Sequence, residues 1–94
     1  MVLKTQRKAD HGTFRVTMSP AQEDAIIQKL VGEAEKNTVR PGHGWCRLAV
    51  EQDGRPVGFH EFHVDLPESI VEVWETWDGV ETARRTYELV PDSN

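Results

Sequence analysis

Residues 19–37 read SPAQEDAIIQKLVGEAEKN, and this stretch decides the fold. Ser19 suits an N-cap, because its hydroxyl can accept from the N–H groups that a first helical turn leaves without partners. Pro20 follows at the first helical position, where a missing N–H costs nothing and the fixed φ already suits a helix. Gln22 stands where a capping box needs its amide. Glu23 and Asp24 bring negative charge to the positive end of the helix dipole. Ile27, Leu30, Val31 and Ala34 recur at i, i+3, i+4 and i+7, with Ile26 at the margin, while Gln28, Lys29, Glu33 and Lys36 fall on the other side. The spacing predicts an amphipathic helix with one apolar stripe. Asn37 and the Pro41-Gly42 pair end it.

Beyond residue 44 the apolar period changes from helical to two. Residues 45–51 and 57–66 flank Asp53-Gly54, and residues 70–77 and 80–90 flank Asp78-Gly79. Aspartate-glycine between alternating segments is a hairpin signal. Pro67 separates the two hairpins. On the N-terminal side, residues 13–18 (TFRVTM) alternate Phe14, Val16 and Met18 with polar neighbours, which predicts a half-buried strand. The chain therefore reads as α+β in the order β-α-β-β-β-β: an antiparallel sheet of four to five strands with one N-terminal helix on one face. Residues 1–12 read as a flexible basic arm, 13–90 as the single domain and 91–94 as a tail.

Hairpin loop length fixes which residues share a face. In the first hairpin, a three-residue loop or an equivalent bulge groups Cys46, Leu48 and Val50 with Gly58, His60, Phe62 and Val64, which is the drier arrangement. In the second, a two-residue turn sets Trp74 opposite Ala83 and Glu72 opposite Arg85. The expected core is then Leu48, Val50, Phe62, Val64, Ile70, Trp74, Ala83, Tyr87 and Leu89 against the helix stripe. Trp45, Phe59, His63, Val71, Val73 and Trp77 are left on the opposite face. One helix covers only one face, and a contiguous apolar patch on the other marks an interface. Tryptophan is also a frequent anchor of binding hot spots.

Composition limits the alternatives. The 94 residues suffice for one domain, with 37% apolar and 29% charged side chains spread along the chain. The net charge of −5 divides into +3 over residues 1–18, −1 over 19–60 and −7 over 61–94. Such an acidic C-terminal third argues against a broad phosphate-binding surface, so nucleic acid is not an expected partner. No segment has the apolar length of a membrane span or of a signal sequence, and a cytoplasmic location is expected. Cys46, the one cysteine, cannot form an internal disulfide.

Two constellations could carry chemistry. His43-x2-Cys46 and His60-x2-His63 together supply donors suited to zinc. Against this, positions three apart on a strand point to opposite faces, which separates His60 from His63. Cys46 and His60 could meet across the first hairpin, but no acidic group to orient the histidine and no oxyanion donor is apparent. No cofactor motif is present, and an enzyme is not expected.

The stretches GHGWCRLAVEQDGRPVG (42–58) and VEVWETWDGVETARRTYELV (71–90) resemble in style the small acidic gene products of actinobacterial phages, mycobacteriophages in particular. The resemblance implies a non-structural protein that binds a host protein in the host cytoplasm. It carries over no residue roles. The expected function is a non-enzymatic protein–protein interaction module that uses the second sheet face, as a homodimer or with a partner. The alternative is a small zinc-binding module using His43, Cys46, His60 and His63.

Overall fold

The computed structural model describes residues 2–92. Positions 93 and 94 of the expected tail lie outside the described residues. Five strands and one helix follow in the order β1 (Leu3–Gly12), α1 (Pro20–Lys36), β2 (His43–Gln52), β3 (Arg55–Asp65), β4 (Ile70–Trp77) and β5 (Val80–Pro91). The strands form one sheet, ordered β1-β5-β4-β3-β2, in which every neighbouring pair is antiparallel. The α+β expectation therefore holds, with five strands and the helix on one face.

The helix begins as its sequence requires. The Gln22 N–H donates to Ser19 Oγ at 3.2 Å, and the Ser19 N–H donates to Gln22 Oε1 at 3.2 Å, closing the capping box. At the other end Asn37 organises the exit. Its Oδ1 accepts from the N–H groups of Val39 and Arg40, and its Nδ2 donates to the His43 carbonyl at 2.7 Å. The connection is thereby tied to the start of β2. Ile27, Leu30, Val31 and Ala34 face the sheet and meet Phe62, Val64, Val71, Val73 and Leu89 in one core. Each large side chain buried this way contributes about 1.5–3 kcal/mol. Gly44 lets the helix come close, since a Cβ there would sit 2.8 Å from the Leu30 carbonyl oxygen.

The N-terminal segment departs from expectation. Residues 3–12 are a paired edge strand rather than a flexible arm, and residues 13–18 are a connection rather than a strand. β1 has little apolar periodicity because it is held by the backbone ladder to β5, with ion pairs from Lys8 to Glu88 and from Asp10 to Arg85. The apolar alternation of 13–18 serves another purpose: Phe14 and Met18 pack on the core margin from a non-strand backbone. Within that connection, the N–H groups of Arg15 and Val16 bind the Glu75 carboxylate instead of a neighbouring strand.

The phase of β4 is the second departure. The first hairpin turns through Asp53-Gly54, both with positive φ, and then bulges so that Val50 lies opposite Gly58. This is the expected bulge equivalent, and it puts Cys46 opposite Phe62 and Leu48 opposite His60. The turn at 66–69 then pairs Asp65 with Ile70 and hence Phe62 with Val73. The second hairpin also bulges, between Glu75 and Thr76, so Trp74 lies opposite Arg84 and Val73 opposite Arg85. Val71 and Val73 are consequently buried under the helix, at 0% and 1% exposure. Ile70 and Trp74, expected in the core, share the open face with Asp65 and Glu61.

Candidate interaction face

Alternation along the strands brings odd-numbered residues of β2 and β3 and even-numbered residues of β4 onto the face away from α1. Trp45 on β2 lies beside His63 on β3, their ring centroids 6.2 Å apart and their planes 12° from parallel. His63 meets Trp74 at 4.6 Å. The Arg84 guanidinium covers Trp74 at 4.6 Å, and the Arg47 guanidinium covers Phe59 at 4.9 Å. Four strands thus contribute to one aromatic and cationic row.

Carboxylates hold the cations in place. Glu61 Oε1 accepts from Arg47 Nε at 2.8 Å and lies 2.6 Å from Nη2, while its Oε2 lies 3.3 Å from His63 Nε2. Burial pushes the Glu61 carboxyl up, but bonds from His63 and Arg47 outweigh it and leave the group below its ordinary range. Arg84 donates to Glu81 at 2.8 Å and to Glu72 at 3.2 Å. The Glu81 bond leads the effects that raise its pKa. Such pairs add little to stability individually, but as a network they fix the rotamers of the rings they touch. At one end of the row, a concavity of about 630 Å³ opens between the Asn37 to Arg40 connection and β2, β3 and β4, with His43, Trp45, His63 and Trp74 on its wall.

Of the six expected interface residues, three are on this face. Trp45 is 61% exposed, Phe59 38%, and His63 is half-buried between the two tryptophans. Val71 and Val73 belong to the core, which corrects their placement. Trp77 also lies on the helix side, opposite Gly58, under the Arg15 guanidinium at 5.1 Å. The residues that sequence reasoning missed are Trp74, Arg47, Arg84 and Glu61. One phase of β4 offers Ile70 and Trp74 with Glu72, the other Val71, Val73 and Trp77 with Glu75, so each reads as an apolar face with one glutamate and the pattern of β4 alone is ambiguous. The deciding signal is the set of partners that Glu75 finds on distant elements.

The four possible zinc donors are divided by the sheet. His43 and His63 lie on the open face, whereas Cys46 and His60 lie on the helix side. Among the described residues, no group of three or more histidine, cysteine or acidic side chains is placed to hold a metal. Cys46 remains a thiol, its pKa raised chiefly by burial and then by Glu33.

A second polar cluster lies on the helix side. Glu75 is 0% exposed. Its Oε1 accepts from the Arg15 N–H at 2.8 Å and the Thr82 hydroxyl at 3.0 Å. Its Oε2 accepts from the Val16 N–H at 3.1 Å and meets His60 Nε2 at 2.9 Å. An ionised carboxylate only accepts, so that ring nitrogen carries the proton. Burial pushes the Glu75 carboxyl up, but the four donors outweigh burial and hold it below its ordinary range. The pair resembles an acid–base dyad in residue type only. Its carboxylate is saturated with donors, and His60 is 4% exposed beneath the edge of Phe14. It acts as a clasp that fixes the 13–18 connection to the sheet. Nearby, Glu23 on α1 accepts from the Tyr87 hydroxyl and from Arg85, joining the helix to β5.

No helix is long and apolar enough to cross a membrane among the described residues. No family model matches this chain, and no curated protein or solved structure does either.

Proposed function

We propose that the protein is a non-enzymatic interaction module that docks a protein partner on its open sheet face. The observation that carries this reading is the ordered row from Trp45 through His63 and Trp74 to Arg84, with Trp45 61% exposed at its end. Tryptophan and arginine are the side chains most enriched at binding hot spots. Rings already held by stacking and ion pairs lose little freedom on binding, which leaves more of the contact energy as affinity. Arginine and glutamate alternate across the face, so it favours a surface of mixed charge over a uniformly charged polymer. The stylistic resemblance to actinobacterial phage products adds the expectation that the partner is a host cytoplasmic protein.

Affinity capture from an actinobacterial lysate, followed by binding measurements on the captured protein, tests the reading. Trp45→Ala should weaken binding by at least about 30-fold, a hot-spot effect of about 2 kcal/mol. Val80→Ser, at the exposed start of β5, should leave binding unchanged. Equal affinity for wild type, Trp45→Ala and Phe59→Ala would overturn the reading.

A further inference from the structure

The two edges of the sheet are built differently. β1 is charged along its length, with Lys4, Arg7, Lys8 and Asp10, and its ladder shifts register between Arg7 and Ala9. Charges and bulges are the usual means of preventing an edge from pairing with another chain. β2, the opposite edge, lacks both protections over residues 44–50. Arg47 is the single charge there, no proline interrupts the run, and the extra residue of the nearby bulge belongs to β3. Among the described residues, no backbone hydrogen bond from outside the sheet ladder reaches residues 44–52. Leu48 is 38% exposed along this strand.

We infer that β2 pairs antiparallel with β2 of a second copy of this chain, about a two-fold axis at Ala49. The strand is self-complementary in this register. Arg47 then lies opposite Glu51 twice, with both side chains on the open face, and Leu48 lies opposite Val50 twice on the helix face. Glu51 is exposed and has no ion-pair partner among the described residues, and Arg47, bound to Glu61 through Nε and Nη2, keeps its Nη1 for this pair. Moving the axis to Leu48 sets Arg47 against Ala49, and moving it to Arg47 sets two arginines against each other. Directly opposed opposite charges favour a strand pair and directly opposed like charges disfavour it, so one register is selected. Pairing also satisfies the outward backbone groups of both edges. It joins two five-stranded sheets into one continuous sheet of ten strands and does not depend on the open face having a partner.

Sedimentation equilibrium of the full chain from about 1 μM to 1 mM should show a reversible dimer, the affinity range expected of a modest interface. Glu51→Arg, which faces Arg47 with a like charge, should weaken it about tenfold. An equimolar mixture of Glu51→Arg and Arg47→Glu chains should recover a dimer, since each strand again meets opposite charges. Circular dichroism confirms that both variants are folded. A monomer throughout the range overturns the inference, as does a dimer indifferent to Glu51→Arg. A dimer abolished by Phe59→Glu but indifferent to Glu51→Arg would instead show pairing through the open faces.

Discussion

Two histidines of β3 each pair with a glutamate, His60 with Glu75 across on β4 and His63 with Glu61 on β3 itself, and the two pairs behave differently. His60 with Glu75 is buried, with side chains 5% and 0% exposed, whereas His63 with Glu61 is 37% and 13% exposed. Three residues along β3 carry the chain from one face of the sheet to the other. On the helix side, the carboxylate is surrounded by donors and fixes a connection. On the open side, the carboxylate orients an arginine and an imidazole that still reach solvent. Residue type does not separate the two roles; burial and the number of donors do.

The largest expected effect breaks the buried member. Glu75→Ala strips the N–H groups of Arg15 and Val16, Thr82 and His60 of their acceptor, and should cost about 3–5 kcal/mol in urea unfolding. Glu61→Ala, with its pair partly in solvent, should cost about 1 kcal/mol or less. Next, the contrast between faces predicts that Val73→Thr, which puts a hydroxyl in the core, destabilises by about 1–3 kcal/mol. Thr86→Val on the open face should change stability by no more than about 0.5 kcal/mol.

Acid unfolding sharpens the same comparison. The folded state holds the Glu75 carboxyl below its ordinary value, so its contribution is complete above the unfolded pKa and disappears as pH falls through the folded one. Glu75→Gln should therefore flatten the acid limb of the stability curve, by up to one proton's slope, about 1.4 kcal/mol per pH unit. Glu61→Gln should flatten it less, in the same direction. The smallest expected effect is none: with His43 and His63 across the sheet from Cys46 and His60, a chelator should leave the melting temperature unchanged.

How much of this was legible follows from how local each signal is. The α1 cap and stripe are written in consecutive residues, and the structure reproduces them down to the capping box. Both Asp-Gly turns were equally plain, since each needs positive φ at two successive positions. β1 was missed because Leu3 and Ala9 are its few apolar residues and its pairing partner lies at the far end of the chain. β4 was misphased because Thr82 joins a bulge, and because the donors that draw Glu75 inward, the N–H groups of Val16 and Arg15, lie 59 and 60 positions away. The open face was found in outline through Trp45, Phe59 and His63. Its central ring, Trp74, became visible only once that phase was known.

The outermost pairing of the sheet joins its sequence extremes, with the Asp92 N–H donating to the Val2 carbonyl at 2.8 Å. On a ribosome, α1 and the β2–β3–β4 meander can assemble while β1 still waits for its neighbour. β5 must be synthesised before that strand has anywhere to dock, so native structure is completed late and through a long loop closure. A nascent segment left unpaired for that interval benefits from being charged and poor in large apolar residues. The composition of β1, which hid it from periodicity, is thus also what keeps it soluble while translation catches up.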